Sequence, residues 1–314
     1  MELFYGPVLS RRFGYSLGID IIPYKVCSYD CIYCQLGSTT KKTVDRKSYI
    51  KLDMDQFEKD LTRIIDNNER IDYVTFSGSG EPTLNIDLGK LIRKVKKTTG
   101  IPVAVLTNGS LLHRTDVLKD IIEADLIKVS MDAPDQKIFE VINKPYPGLH
   151  FADLSRGLNM LMKNYRGRIW LEIMMIKGIN DSLEAAYDFE ALLKSLQKEY
   201  IKADLENIHL NTPIRPTETG GLGIPDSKRL EEFRKMLGKK AVIIKDYEIS
   251  EDRKKDSIMA GDIISLARRR PVTVRDISKS LDININEVIK AIKVLMERNE
   301  IRTRMHNNRK YYYV

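Results

Sequence analysis

The chain has 314 residues, of which 42% are hydrophobic and 31% charged, with a net charge of +8. That balance excludes a disordered chain, three cysteines argue against a disulfide framework, and no apolar run approaches the ~18 residues that span a bilayer. The opening MELFYGPVLSRRFGYSLGID lacks the basic head and apolar stretch of a signal peptide. A cytoplasmic enzyme with one large and one small domain is expected.

In chain order, strands are predicted at Ser16–Ile22, Tyr73–Ser77, Val103–Thr107, Leu126–Met131, Ile169–Met175 and Leu205–Asn211. Several are nearly continuous apolar runs, as when both faces of a parallel strand are covered. Amphipathic helices are predicted between and after them, at Met54–Asp66, Leu88–Lys97, Leu112–Ile122, Leu154–Lys163, Ser182–Gln197 and Ser227–Leu237. In the first of these, Phe57, Leu61, Ile64 and Ile65 keep helical spacing.

Six strand–helix repeats predict an α/β fold, a sheet of parallel strands either open or curled into a partial (β/α)6 barrel, with right-handed crossovers. Active sites of such folds gather at the carboxyl ends of the strands. SGSGE, TNG, SMDAP and LNTP fall at four of those ends. One polar cluster there is a turn; four on the same rim indicate a cofactor site.

The pattern changes after Ser250. Residues 1–250 are read as the barrel, 251–256 as a charged linker, and 257–314 as a small C-terminal domain. Ser257–Arg270, Val274–Leu281 and Asn286–Asn299 read as helices, followed by a hairpin of Ile301–Met305 and Arg309–Val314 turning at Asn307–Asn308. Three helices and a two-stranded ribbon give the order of a winged helix–turn–helix. From Glu251 onward there are 15 Lys and Arg against 9 Asp and Glu, so +6 of the net +8 lies here.

All three cysteines fall in CSYDCIYC, as Cys27, Cys31 and Cys34. Thiolates suit zinc or iron–sulfur clusters. A structural zinc site wants four closed ligands; there is no fourth cysteine, and His113, His150, His209 and His306 are scattered. Clusters ordinarily take four cysteines, so three imply an iron with an exchangeable position.

The C-x3-C-x2-C loop after the first strand, Tyr33 before its last cysteine, and GSGEP after the second strand resemble the radical S-adenosylmethionine enzymes. The resemblance covers about the first 215 residues. It implies a 4Fe–4S cluster on Cys27, Cys31 and Cys34, with S-adenosylmethionine chelating the free iron. It also implies cleavage to a 5′-deoxyadenosyl radical, and an electron donor such as a flavodoxin or ferredoxin. Carried onto this sequence, Tyr33 would pack near adenine. Gly78, Ser79, Gly80 and Glu81 would receive the methionine ammonium, through backbone carbonyls and an acid. Asn108 would reach the methionine or ribose end, and Ser130 and Asp132 the ribose or carboxylate. His209, Leu210 and Asn211 would fall where the sixth strand meets adenine.

SRRFGYSLGID, CIYCQLG and IHLNTPIRP are similar, more narrowly, to iron–sulfur oxidoreductases grouped with the wybutosine-synthesis enzymes, which rebuild a guanine in transfer RNA. The wybutosine enzyme proper uses a second cluster on further cysteines, which are absent here, so its pyruvate chemistry does not carry over. Arg11, Arg12, Lys25 and Arg215 are candidates for the substrate side of the rim.

In the C-terminal domain the second helix of the motif would offer Asn284, Asn286, Lys290 and Lys293. The wing would add Arg302, Arg304, Arg309, Lys310 and Tyr311–Tyr313. Basic residues among aromatics suit nucleic acid, although Val288, Ile289, Ile292, Leu295 and Met296 mark an apolar core face and winged domains also bind proteins. The leading expectation is a radical enzyme acting on a macromolecule, transfer RNA ahead of protein or peptide, with no membrane partner. The alternative is an iron–sulfur redox sensor that binds DNA.

Overall fold

A computed structural model of the protein describes every residue except 1–2, 11, 69, 198–202, 218–219 and 245–259. The predicted linker 251–256, the start of the helix expected from Ser257, and Arg11 lie outside the described residues.

The chain begins with an antiparallel hairpin of β1 (Phe4–Ser10) and β2 (Gly14–Ile19). A two-residue parallel pair, β3 (Val26–Cys27) and β4 (Lys41–Lys42), then ties the two ends of the cysteine loop together. Parallel strands follow at β5 (Tyr73–Phe76), β6 (Val103–Thr107), β7 (Leu126–Ser130), β8 (Arg168–Met174), β9 (Asp204–Asn211) and β10 (Ala241–Ile243). One sheet runs β1-β2-β5-β6-β7-β8-β9-β10, with all but β1 parallel. This is the mostly parallel α/β sheet expected of a partial barrel. The two edge strands β1 and β10 were not foreseen: GPV in β1 and a three-residue β10 carry little strand signal of their own.

Helices α1 (Met54–Asp66), α2 (Leu88–Thr99), α3 (Thr115–Ile121), α4 (Gln136–Asn143), α5 (Phe151–Asn164), α6 (Leu183–Gln197) and α7 (Ser227–Leu237) connect the strands. Local chemistry sets their ends. The Asp53 side chain caps α1 through the N–H groups of Asp55 and Gln56, and Gly100, at φ 67°, stops α2. Their apolar stripes close on the sheet, burying Leu61, Leu91, Ile92, Val117, Leu161 and Phe189 in one continuous core.

Inside the curve of the sheet, side chains at every second strand position share a face. Its lower end is plugged by Phe13, stacked on Trp170 with ring centroids 4.9 Å apart, together with Ala104 and Leu126. Above the plug the same face turns polar.

The last part of the chain forms α8 (Ala260–Arg269), α9 (Val274–Leu281), α10 (Ile285–Glu297) and a hairpin of β11 (Arg302–His306) and β12 (Arg309–Tyr313). Asn307 and Asn308, at φ 45° and 57°, make its two-residue turn. These elements have their own core, including Ile263, Leu266, Ile277, Val288, Leu295 and Tyr312. The wing tyrosines differ from expectation: Tyr311 and Tyr312 are buried, and Tyr311 donates through its hydroxyl to the Ile214 carbonyl at 2.8 Å. Tyr312 belongs to the core of the unit, and Tyr311 ties the unit to the segment after β9. Val8 of β1 packs against this second core. Arg269 pairs with Asp20 at 3.3 Å and lies 3.8 Å over the Tyr5 ring.

Candidate active site

The cysteine loop leaves the carboxyl end of β2 and crosses the rim. Each thiol has an N–H donor aimed at its sulfur. Asn108 Nδ2 donates to Cys27 at 3.5 Å, Asn143 Nδ2 to Cys31 at 3.4 Å, and Lys25 Nζ to Cys34 at 3.2 Å. Burial, with the Glu81 carboxylate adding to it, pushes the Cys27 thiol up to about 12. Burial and then Asp132 push Cys31 well above its usual value. Such thiols gain by giving up their protons only to a bound cation. Among the described residues no three His, Cys, Asp or Glu side chains surround a single metal ion. Three separated sulfurs, each with its own donor, fit a cluster whose potential such donors tune.

Asp132 anchors this loop. Its Oδ2 accepts from the Tyr33 hydroxyl at 2.5 Å and from Asn143 Nδ2 at 2.8 Å, and its Oδ1 from the Met174 N–H at 2.9 Å. Burial raises its pKa against those donors.

A cavity of about 400 Å³ opens beside the loop. Tyr33, Cys34, Gly78, Gly80, Ser130 and Asn211 line it together, so these predicted residues are brought to one space. Asn211 is buried and its Oδ1 has no hydrogen-bond partner among the described residues. An adenine amino group or a ribose hydroxyl would satisfy it, which fits the expected cofactor.

Four predicted residues sit behind that wall. Ser79 gives its N–H and hydroxyl to Asp20, at 3.0 and 2.6 Å. Glu81 is buried, and its two oxygens accept from the Thr83 N–H and hydroxyl, the Thr107 hydroxyl and the Asn108 N–H. The GSGEP turn therefore offers a ligand its backbone, while its acid is spent on the ends of β5 and β6. Asn108 sits beside Cys27 and Ser28, away from the cavity lining. Asp132 does likewise beside Tyr33. The glycines are required by packing: a Cβ on Gly80 would lie 1.9 Å from the Val26 carbonyl oxygen, and one on Gly78, at φ +150°, 2.3 Å from the Asp20 carboxyl carbon.

The polar inner face contributes a charge cluster that strand patterns only half revealed. Lys128 Nζ donates to Glu172 Oε1 at 2.6 Å, and Arg12 pairs with the other Glu172 oxygen. Burial pushes Glu172 up, but Arg12 and Lys128 outweigh it and hold it at about 2. Burial, then Arg12, lowers His209 to about 4. Lys128 was missed as a site residue, although a lysine inside LIKVS is itself the signal: its neighbours Ile127 and Val129 face the helices. Of the other rim candidates, Arg215 lines the cavity and donates to Gln35 at 3.3 Å, whereas Lys25 is committed to Cys34.

The model of the Radical SAM superfamily matches residues 21–189, the stretch that carries the cysteine loop, GSGEP and the Tyr33–Asp132 anchor. The chain belongs to the radical SAM superfamily. It is 39% identical over 248 residues to a UPF0026 protein of Methanocaldococcus jannaschii, covering 77% of this chain and 74% of that one, and so also belongs with the UPF0026 proteins. It is 37% identical over 306 residues to GTPase Obg of Brachyspira hyodysenteriae, covering 96% of this chain and spanning 44% of that protein's length. The structure of TYW1 with a lysine-pyruvate adduct bound shares the fold, with a TM-score of 0.53 and 19% identity over 74% of this chain and 75% of that one. Radical SAM enzymes use a 4Fe–4S cluster and S-adenosylmethionine, and the residues above fit both. No helix among the described residues is long and apolar enough to cross a membrane.

Proposed function

We propose that this radical SAM enzyme is an oxidoreductase acting on a macromolecule, transfer RNA ahead of protein or peptide. In this reading the partial barrel of residues 1–250 does the chemistry, and a winged helix–turn–helix of residues 257–314 presents the substrate. Cys27, Cys31 and Cys34 would hold the cluster, and Tyr33, Gly78, Gly80, Ser130 and Asn211 would contact S-adenosylmethionine. When reduced and bound, the cluster supplies the electron that cleaves S-adenosylmethionine to the hydrogen-abstracting 5′-deoxyadenosyl radical.

The protein's own residues orient and shield. Asp132 fixes Tyr33 and the loop, so the ligands are held by buried hydrogen bonds on rigid elements. Phe13 and Trp170 seal the barrel floor against water. Glu172 stays ionised and His209 neutral near pH 7, so neither offers a proton there, and the Lys128–Glu172–Arg12 cluster acts as fixed charge.

The observation that carries the macromolecular reading is the cavity wall itself. Leu266, Arg269 and Arg270, from α8 and its end, line the same cavity as Tyr33 and Cys34. A C-terminal unit that walls the reaction space is built to bring substrate there. A redox-sensing DNA-binding regulator has no use for such a shared wall. The test is anaerobic incubation of loaded enzyme with S-adenosylmethionine, reductant and either total transfer RNA or total protein. Substrate-dependent 5′-deoxyadenosine with transfer RNA, and a mass change in its nucleosides, supports the reading. Stimulation by neither pool would turn the search to small molecules.

A further inference from the structure

A second cavity, of about 210 Å³, lies in the seam between the cysteine loop and the C-terminal unit. It is continuous in its walls with the first: Gln35, Leu36 and Arg270 line both. Arg268, Arg270 and Arg304 line the seam, and among the described residues no Asp or Glu does. Among the described residues the side chains of Arg268 and Arg270 have no hydrogen-bond or ion-pair partner, and Arg304 donates only weakly, to the Thr217 carbonyl at 3.3 Å. Unpaired arginines gathered on a concave wall favour a multiply charged anion, and the guanidinium fork matches phosphate.

Aromatic faces stand in the same seam. Tyr24 is fixed by its hydroxyl to the Leu36 carbonyl at 2.7 Å while 51% of the residue stays exposed, and Tyr313 also lines the seam. A phosphate-binding wall beside tyrosine rings is suited to a nucleotide, whose base stacks while its phosphate is held. An acidic peptide would use the charges but not the rings.

We propose that this seam is a phosphate-binding entrance to the barrel cavity, across which one nucleotide of an RNA chain lies with its backbone on Arg268, Arg270 and Arg304. The inference rests on the substrate reading above and deepens it, by locating contact at the seam instead of on the exposed face of α10. Arg270, shared by both cavities, marks where the nucleotide passes from the seam toward the reaction space.

The test uses the full-length, cluster-loaded protein and a fluorescent single-stranded RNA, with binding followed by anisotropy from about 50 to about 200 mM salt. Combined Arg268→Gln, Arg270→Gln and Arg304→Gln substitution should weaken binding about tenfold or more and lower the salt slope by about 0.7, because one nucleotide offers the three arginines a single phosphate. The matching triple Arg→Lys protein keeps the charge and should keep the slope while binding more weakly, which separates contact from misfolding. Lys290→Gln with Lys293→Gln on α10 should leave affinity within about twofold, since those contacts are not the ones proposed. If the α10 pair carries the loss and the seam triple does not, the inference is wrong. It is equally overturned if the RNA does not bind, or if a glutamate-rich peptide displaces it. 5′-AMP separates the sources of phosphate: RNA binding much tighter than AMP supports a chain, and equal binding of AMP, lost in the seam triple, overturns the chain in favour of a free nucleotide. 5′-Deoxyadenosine formation by the wild type is read separately, so a dead radical site and an absent phosphate site give different results.

Discussion

The Tyr33 hydroxyl donates to Asp132 Oδ2 at 2.5 Å, joining the cysteine loop to the end of β7 across 99 positions of sequence. Asp132 holds the Met174 N–H with its other oxygen, so one buried carboxylate fixes the loop and two strand ends. Tyr33→Phe removes one donor from a buried acceptor and is expected to cost about 1–3 kcal/mol. Thermal unfolding checks the stability loss, and iron content per chain checks that the loop holds its cluster less well.

Glu81 satisfies donors from Thr83, Thr107 and Asn108 in a fully enclosed setting. Glu81→Ala strands those donors together and should cost about 3 kcal/mol or more, while Glu81→Gln, which keeps one acceptor oxygen, should cost less. Denaturant unfolding orders the two variants. A Glu81→Ala protein as stable as wild type, with only S-adenosylmethionine binding lost, would mean that the acid faces the ligand after all.

Glu172 answers two cations at once, Lys128 and Arg12. Glu172→Gln therefore leaves both uncompensated and should destabilise by about 3–5 kcal/mol. Because its folded pKa, about 2, lies below the 4.5 of a free glutamate side chain, its contribution is fully present above the unfolded value. It is lost as pH falls toward 2. Unfolding of wild type and variant at pH 7 should show the gap, which narrows on acidification.

His209 has a folded pKa of about 4 against 6.5 for the free side chain. The unfolded chain takes up a proton below pH 6.5 and the folded chain does not until about 4, so stability falls as pH drops through that window and is unaffected above it. His209→Gln should remove on the order of 2 kcal/mol of this pH dependence. Denaturant midpoints at pH 7 and pH 5 measure it, and equal slopes in wild type and variant would show that the histidine is not held neutral.

The six parallel strands and the cysteine loop were legible because both signals are local. A buried parallel strand is an apolar run with turn residues at its ends, and the three cysteines crowd one loop. What local pattern could not show was which way polar side chains turn. GSGEP reads as a ligand turn, yet Glu81 points into the body of the protein, because the Thr107 hydroxyl and the Asn108 N–H come from a different strand end. Tyr311 and Tyr312 read as aromatic residues of a basic wing, yet Tyr312 pairs with Val272 in the C-terminal core and Tyr311 bonds across to Ile214 of the barrel portion. Lys128 was visible as a charge inside an apolar strand, but its partner Glu172 lies 44 positions away. The docking of α8 over the cavity rests on the Arg269–Asp20 pair, separated by 249 positions, and no window of sequence contains it.

The most direct test of the central claim is formation of 5′-deoxyadenosine by the anaerobically reconstituted full-length protein, given S-adenosylmethionine, a strong reductant and total transfer RNA. A Cys27→Ala, Cys31→Ala, Cys34→Ala protein serves as control. The wild type should form the product and the triple variant none. A wild type that carries a reducible cluster and yet forms no product, and shows no S-adenosylmethionine-dependent change in its electron paramagnetic resonance spectrum, would contradict the account.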